Sequence, residues 1–141
     1  MSPREQEIQR RTELSVTSVT KAVFPPTTNH HNTLLGGTAL AWMDEVSFIA
    51  ATRFCRLPLV TVSSDRIDFK HAIPAGSIVE LVGRVIKVGT TSLKVEVNLY
   101  VESMYSDGRE KAVSGVFSFV AVGEDKKPIP LLPGFAENPS A

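Results

Sequence analysis

From Thr38 to Cys55 the chain runs through eighteen residues with neither proline nor glycine, and only Asp44, Glu45 and Arg53 in that run are charged. The rest is mostly Ala, Leu, Met, Phe and Ile, so the segment reads as one helix of about five turns. A helix that is apolar nearly all round cannot lie on a surface. It is predicted to be a central helix wrapped by other elements, and whatever else the chain folds into must supply that wrapping.

Four segments after the helix supply it. Leu59 to Phe69, Ile78 to Val88, Ser92 to Ser103 and Lys111 to Val122 all read as strands. The third is the clearest: Leu93, Val95, Val97, Leu99 and Val101 alternate with Lys94, Glu96, Asn98, Tyr100 and Glu102, as one buried and one wet face require. Ser106, Asp107 and Gly108 mark a hairpin into the fourth. Ahead of the helix, Val16, Val19 and Val23 begin a strand that ends at Pro25 and Pro26, and a polar, glycine-closed loop follows from Thr27 to Gly37. Strand, buried helix, then four strands in succession is an α+β pattern with an antiparallel sheet. A sheet curled around one helix satisfies it, and periodicity alone leaves other helix-on-sheet packings open. At 141 residues with 43% hydrophobic content the chain fits one domain, expected over residues 11–130. Residues 1–10 and the proline-rich 131–141 are expected to be flexible.

Composition excludes several classes. Lys plus Arg and Asp plus Glu each total 15, with no block of one sign, which disfavours nucleic acid as a partner. The single cysteine, Cys55, cannot make an internal disulfide, and a reducing, cytoplasmic setting is expected. The charged first residues are wrong for a signal peptide, and no run approaches the ~18 apolar residues of a membrane span. There is no G-x-S-x-G elbow, no P-loop and no G-x-G-x-x-G.

Asp44 is the most informative residue. It stands about two turns into the apolar helix, on the face of Gly37, with Ala41 and Phe48 beside it. A carboxylate there needs partners or a task, unless it tips to solvent at a gap in the sheet or caps a loop. Glu45 sits about 100° round the helix and is a weaker candidate. Gly36 and Gly37 open the helix, where unpaired N–H groups and the positive end of the dipole can meet an oxyanion; a tight turn is the plainer alternative. Asn29, His30, His31 and Asn32 form a polar cluster just before it. A metal is not expected, because adjacent histidines rarely point together and no third ligand is near. A triad of Cys55, His30 or His31, and Asp44 is conceivable, although Cys55 at the end of an apolar helix suits packing better.

The stretch Asn29-His30-His31-Asn32-Thr33-Leu34-Leu35-Gly36-Gly37-Thr38-Ala39-Leu40-Ala41-Trp42-Met43-Asp44 resembles the acyl-CoA thioesterase family of hotdog proteins, which includes the bacterial short-chain type and each half of the mammalian brain-type enzyme. The likeness continues through Val60-Thr61, Asp68-Phe69, Val88 to Ser92 and Phe119 to Val122. It implies a hotdog fold, an antiparallel sheet wrapped around one long helix, and hydrolysis of acyl-CoA to a free carboxylic acid and CoA. It further implies Asn29 and Asp44 as a catalytic pair from opposite subunits, with the Gly37 amide binding the thioester oxygen. Asp44 would be a general base for water or a nucleophile that forms an anhydride. Lys70 and the Gly89-Thr90-Thr91-Ser92 turn are similar to the family's nucleotide-binding side, although Thr90 stands where many members carry Arg. Asn32 replaces a frequent Gly, which Asn tolerates in left-handed geometry. The implied assembly is a homodimer built further into a hexamer, a trimer of dimers, with no cofactor. The alternatives are a hotdog protein that binds acyl-CoA without hydrolysing it, and, more weakly, a dehydratase, which would need a catalytic His where Asn29 stands.

Overall fold

The computed structural model describes residues 1–135. In chain order the elements are α1 (Pro3–Ser15), β1 (Thr17–Ala22), a 3-10 turn at Pro25–Thr27, α2 (Gly36–Cys55), β2 (Leu59–Phe69), β3 (Ser77–Val88), β4 (Ser92–Ser103) and β5 (Glu110–Ala121). The central helix begins at Gly36, two residues before the run that predicted it. It stops where Arg56 turns left-handed at φ 54° and its N–H reaches back to the Thr52 carbonyl at 2.7 Å. Pro58 then prevents any continuation.

The five strands form one antiparallel sheet in the order β1-β3-β4-β5-β2. Period-two alternation sends Val79, Leu81, Val95, Val97, Leu99, Val113 and Phe119 to one face, where all are fully buried. Across that face lies α2, which buries Ala39, Met43, Val46, Ser47, Ala50, Ala51 and Phe54. Two glycines let it sit close. A methyl on Gly83 would stand 3.0 Å from a Val46 methyl, and one on Gly115 would collide with Ile67 and lie 3.3 Å from the Met43 terminal methyl. A sheet laid around one long helix is the hotdog arrangement.

The helix is central and wrapped as expected, except along one flank. Helix α2 sits chiefly over β3 and β4 and barely reaches β2. One flank therefore stays open in the protomer, with Leu40 37% and Phe48 45% exposed. The inward residues of β2, Thr61 and Phe69 among them, are likewise uncovered.

Both ends of the chain also differ from expectation. Residues 1–10 were expected to be flexible, but from Pro3 onward they belong to α1, which packs on α2 and β3. The physical reason is a capped helix start. The Glu5 N–H donates to the Ser2 hydroxyl at 3.1 Å, that hydroxyl donates to the Glu5 carboxylate at 3.2 Å, and Pro3 occupies the first turn. Of the span 131–141, the described part, 131–135, is tied down: the Leu131 N–H donates to the Thr90 carbonyl at 2.9 Å, and Leu131 and Leu132 are buried. Residues 136–141 lie outside the described residues.

Candidate active site

The loop before α2 is built around one side chain. Asn29 Oδ1 accepts from the His31 N–H (2.9 Å), the Thr33 N–H (3.2 Å) and the Thr33 hydroxyl (3.1 Å), while the Asn29 N–H donates to the Thr33 carbonyl at 2.8 Å. Three donors on one oxygen fix the amide's orientation. The Asn29 Nδ2 group is thereby left as a donor, and no acceptor stands against it among the described residues. Asn32 closes the turn at φ 58°, the left-handed geometry anticipated for it. Backbone bonds from Leu34 to Ile73 (2.7 Å) and from Ala75 to Asn32 (2.8 Å) fasten the loop to the segment joining β2 and β3.

The loop delivers the chain to α2 through Leu35, which has no side-chain oxygen to cap the helix. Ala39 is the first helical residue whose N–H finds a carbonyl, that of Leu35 at 3.0 Å. The N–H groups of Gly36, Gly37 and Thr38 have no acceptor among the described residues, and nothing in the protomer lies within 4 Å of where a methyl on either glycine would be. Three open donors at the positive end of a twenty-residue helix can receive negative charge on an oxygen.

Asp44 sits on the open flank of α2. Leu40 and Phe48, one turn to either side, share its exposure, and so do Gly37 and Ala41. Among the described residues nothing hydrogen-bonds its carboxylate, so Asp44 caps no loop; in the protomer it faces solvent at the gap beside the sheet, as the plainer alternative had it. Opposite the flank, Phe48 meets the buried Phe119 ring at 6.3 Å, and Thr61 is the register partner of Phe119. Thr61, which had attracted no role in the sequence, is thus exposed on the inner side of β2, beside the Phe119 on which Phe48 leans. A threonine in a strand carries no signal of such a place; only the register reveals it.

Gly37 and Asp44 are seven residues apart on one helix, about 10 Å along its axis at 1.5 Å per residue. Within one protomer they cannot act on the same carbonyl group. Nor does the protomer unite the two parts of the expected nucleotide-binding side. The Lys70 N–H bonds Ala112 at one end of β5, and the Thr91 carbonyl bonds Ala121 at the other. Nine residues of strand put about 30 Å between them. Lys70 lies at the end of the Asn29 loop and the α2 N-terminus.

The Gly89–Ser92 turn is tight. The Gly89 N–H is taken up by the Ser92 carbonyl at 2.7 Å, and a methyl on Gly89 would stand 3.1 Å from the Ser92 hydroxyl. The Gly89 amide is therefore used inside the turn, and a cation the sequence did not single out bonds to the same residue. Arg4 of α1 donates to the Gly89 carbonyl at 2.8 Å and shares with Thr90 and Phe135 the rim of a 470 Å³ cleft. Eighty-five residues separate Arg4 from Gly89, and nothing local links them.

A Cys-His-Asp triad does not form. Cys55 is buried at the far end of α2, its thiol bonded to the Ala51 carbonyl at 3.4 Å and pushed up in pKa chiefly by burial. The helix puts about 30 Å between it and the histidine loop. Among the described residues no group of His, Cys, Asp and Glu could hold a metal ion, and no helix is long and apolar enough to cross a membrane.

Residues 31–106 match the model of the thioesterase superfamily. The chain is 39% identical over 112 residues, 79% of its length, to the uncharacterized acyl-CoA thioester hydrolase YkhA of Bacillus subtilis, and it spans 65% of that relative. Among solved structures it is similar to an acyl-CoA hydrolase of Staphylococcus aureus in complex with butyryl-CoA and CoA, at 33% identity and TM-score 0.80, covering 84% of this chain and 73% of that one. An apo-hexameric acyl-CoA thioesterase gives 36% identity and TM-score 0.81, covering 84% and 76%. The Staphylococcus hydrolase has also been solved with an asparagine, an aspartate and a threonine each replaced by alanine. Those three stand at the same separations from one another as Asn29, Asp44 and Thr61.

Proposed function

Because the chain belongs to the thioesterase superfamily, we propose that it hydrolyses acyl-CoA thioesters to a carboxylic acid and CoA. The observation that carries the reading is Asp44. It is an unpartnered carboxylate on an apolar helix flank, facing an open trough, in a fold whose helix also begins with three open N–H donors. Their separation of about 10 Å along one helix supports a site made by two copies, with Asn29 and Gly37 from one chain facing Asp44 of the other.

In that site the thioester oxygen takes the Gly37 N–H, which holds the charge that develops as the carbonyl is attacked. Asp44 either removes a proton from the attacking water or attacks the carbonyl itself, giving an anhydride that water then opens. Either route expels CoA as a thiolate, and a thiol of pKa near ~8.5 leaves without a strong general acid. Asn29 can take part only by donating, since its oxygen is held within the loop, so Nδ2 positions the water or the carbonyl. Thr61 is placed to orient the same water. Lys70 and the Gly89–Ser92 turn, with Arg4 beside it, would meet CoA phosphates from different copies. The hexameric thioesterase to which this chain is similar supports a dimer built further into a hexamer. A cytoplasmic setting suits the lone buried Cys55.

Release of free thiol from acyl-CoA, in the parent and in Asp44→Asn, tests the reading. The variant keeps shape and removes the base, so turnover is expected to fall at least ~100-fold with folding unchanged. Near-normal turnover in Asp44→Asn would remove Asp44 from the reaction. A parent that binds acyl-CoA and releases no thiol would be a binding protein instead.

A further inference from the structure

We infer that Phe48 is the end stop of the acyl site and confines this protein to short acyl groups, an inference that rests on the thioesterase reading. The trough between α2 and β2 is a stretch of the helix surface that the protomer's own sheet leaves uncovered, with Leu40, Asp44 and Phe48 exposed along it. Asp44 marks where the thioester carbon must lie. From there toward the C-terminus of α2, the next residue on the open flank is Phe48, four positions on, about 6 Å along the axis. That is the length of about four or five carbon–carbon bonds of ~1.5 Å each laid in a zigzag.

The ring is braced on its inner side. It leans at 58° on Phe119 with centroids 6.3 Å apart, a tilted aromatic contact, and Phe119 is itself fully buried in β5. Among the described residues the interior behind the trough is packed. Met43 and Phe119 are fully buried, Phe117 is nearly so, and the space over Gly115 is filled by Ile67 and Met43. An acyl chain that outruns the distance from Asp44 to Phe48 therefore meets an aromatic ring backed by the core.

The test is kcat/KM over a series from acetyl-CoA to palmitoyl-CoA for the parent, Phe48→Ala, Phe48→Leu and Phe48→Trp. The parent is expected to favour acyl groups of about six carbons or fewer. In Phe48→Ala the ratio of palmitoyl to butyryl activity should rise at least about tenfold, the factor that burying two further methylenes supplies. Phe48→Leu should move the ratio the same way by less, and it serves if the alanine variant does not fold. Phe48→Trp should move the optimum to shorter chains. A merely structural defect would lower all rates together and leave the ratio where it was, which would overturn the inference. So would a parent that prefers palmitoyl-CoA. A parent that hydrolyses no acyl-CoA of any length would overturn the thioesterase reading itself.

Discussion

Leucine is a poor residue with which to begin a helix, because it has no oxygen to offer the first N–H groups. Replacing a good N-cap by an apolar residue costs about 1 kcal/mol, yet Leu35 stands in that position at the start of the longest helix in the protein. The result is three open donors at Gly36, Gly37 and Thr38, and a side chain at residue 37 decides what may approach them. Gly37 has no left-handed strain and no neighbour within 4 Å of an added methyl, so Gly37→Val should fold normally. It is expected to lower kcat on the order of 100-fold, the cost of losing an oxyanion donor, while CoA inhibits nearly as well as before. Steady-state rates with CoA as product inhibitor check this; parallel losses in both would indicate a collapsed pocket. At this scale the sequence was informative where chemistry and conformation coincide, as with Asp44 on an apolar helix and Asn32 in left-handed geometry. It was silent about which way Asn29 turns its amide, because three loop donors decide that. It was silent about Thr61 and Arg4 as well, whose neighbours are remote in the chain.

Helix α1 shows what periodicity misses. Its thirteen residues carry too few apolar side chains to announce a face, so composition alone read as a frayed tail. The overlooked signals were Ser2-Pro3-Arg4-Glu5, a capping sequence, and the spacing of Glu7 to Arg10 and Arg11. Glu7 bonds Arg10 at 3.0 Å and Arg11 at 2.6 Å, and these hydrogen bonds, Arg10's first, hold its carboxyl down at about 2 from an ordinary 4.5. Arg11 in turn reaches the Phe54 carbonyl at the end of α2 at 3.4 Å, so the cluster joins the two helices. A carboxylate with a lowered pKa stabilises the fold in full above its unfolded value and loses that contribution as pH falls toward the folded one. The docking of α1 is therefore expected to weaken between about pH 4.5 and 2 and to be insensitive to pH above that window. Glu7→Gln should flatten the profile. Hydrogen exchange of the α1 amides across that range, in the parent and the variant, reads it directly; the same slope in both would exclude Glu7 as its source. The four strands after α2, by contrast, were legible to within a residue, because alternation against one buried face is a strong constraint. The register shifts in β2 were not, since bulges arise from strand pairing and leave no local mark.

For the whole molecule, the open flank of α2, the uncovered inner side of β2 and the exposed edge of the same strand all lie together. A second copy related by a two-fold axis would cover them and bring Asp44 of one chain to Asn29 and Gly37 of the other. Mixing two inactive variants, Asn29→Ala and Asp44→Asn, under conditions of subunit exchange tests this. In a mixed dimer one site collects both substitutions and the other none. Random exchange makes about half the dimers mixed, each with one good site of two, so activity should recover to roughly a quarter of the parent's. If each site belonged to a single chain, every site would keep a defect and nothing would return; exchange is verified by mass spectrometry. The same uncovered strand has a cost while the protein is being made. A newly synthesised chain that has folded but not yet met a copy displays Val60, Val62 and Phe69 at 45%, 56% and 51% exposure along an unpaired edge, the kind of surface that templates aggregation. If copies pair as proposed, assembly competes with misassociation, and soluble yield should depend on how quickly copies find one another as well as on how stable each one is.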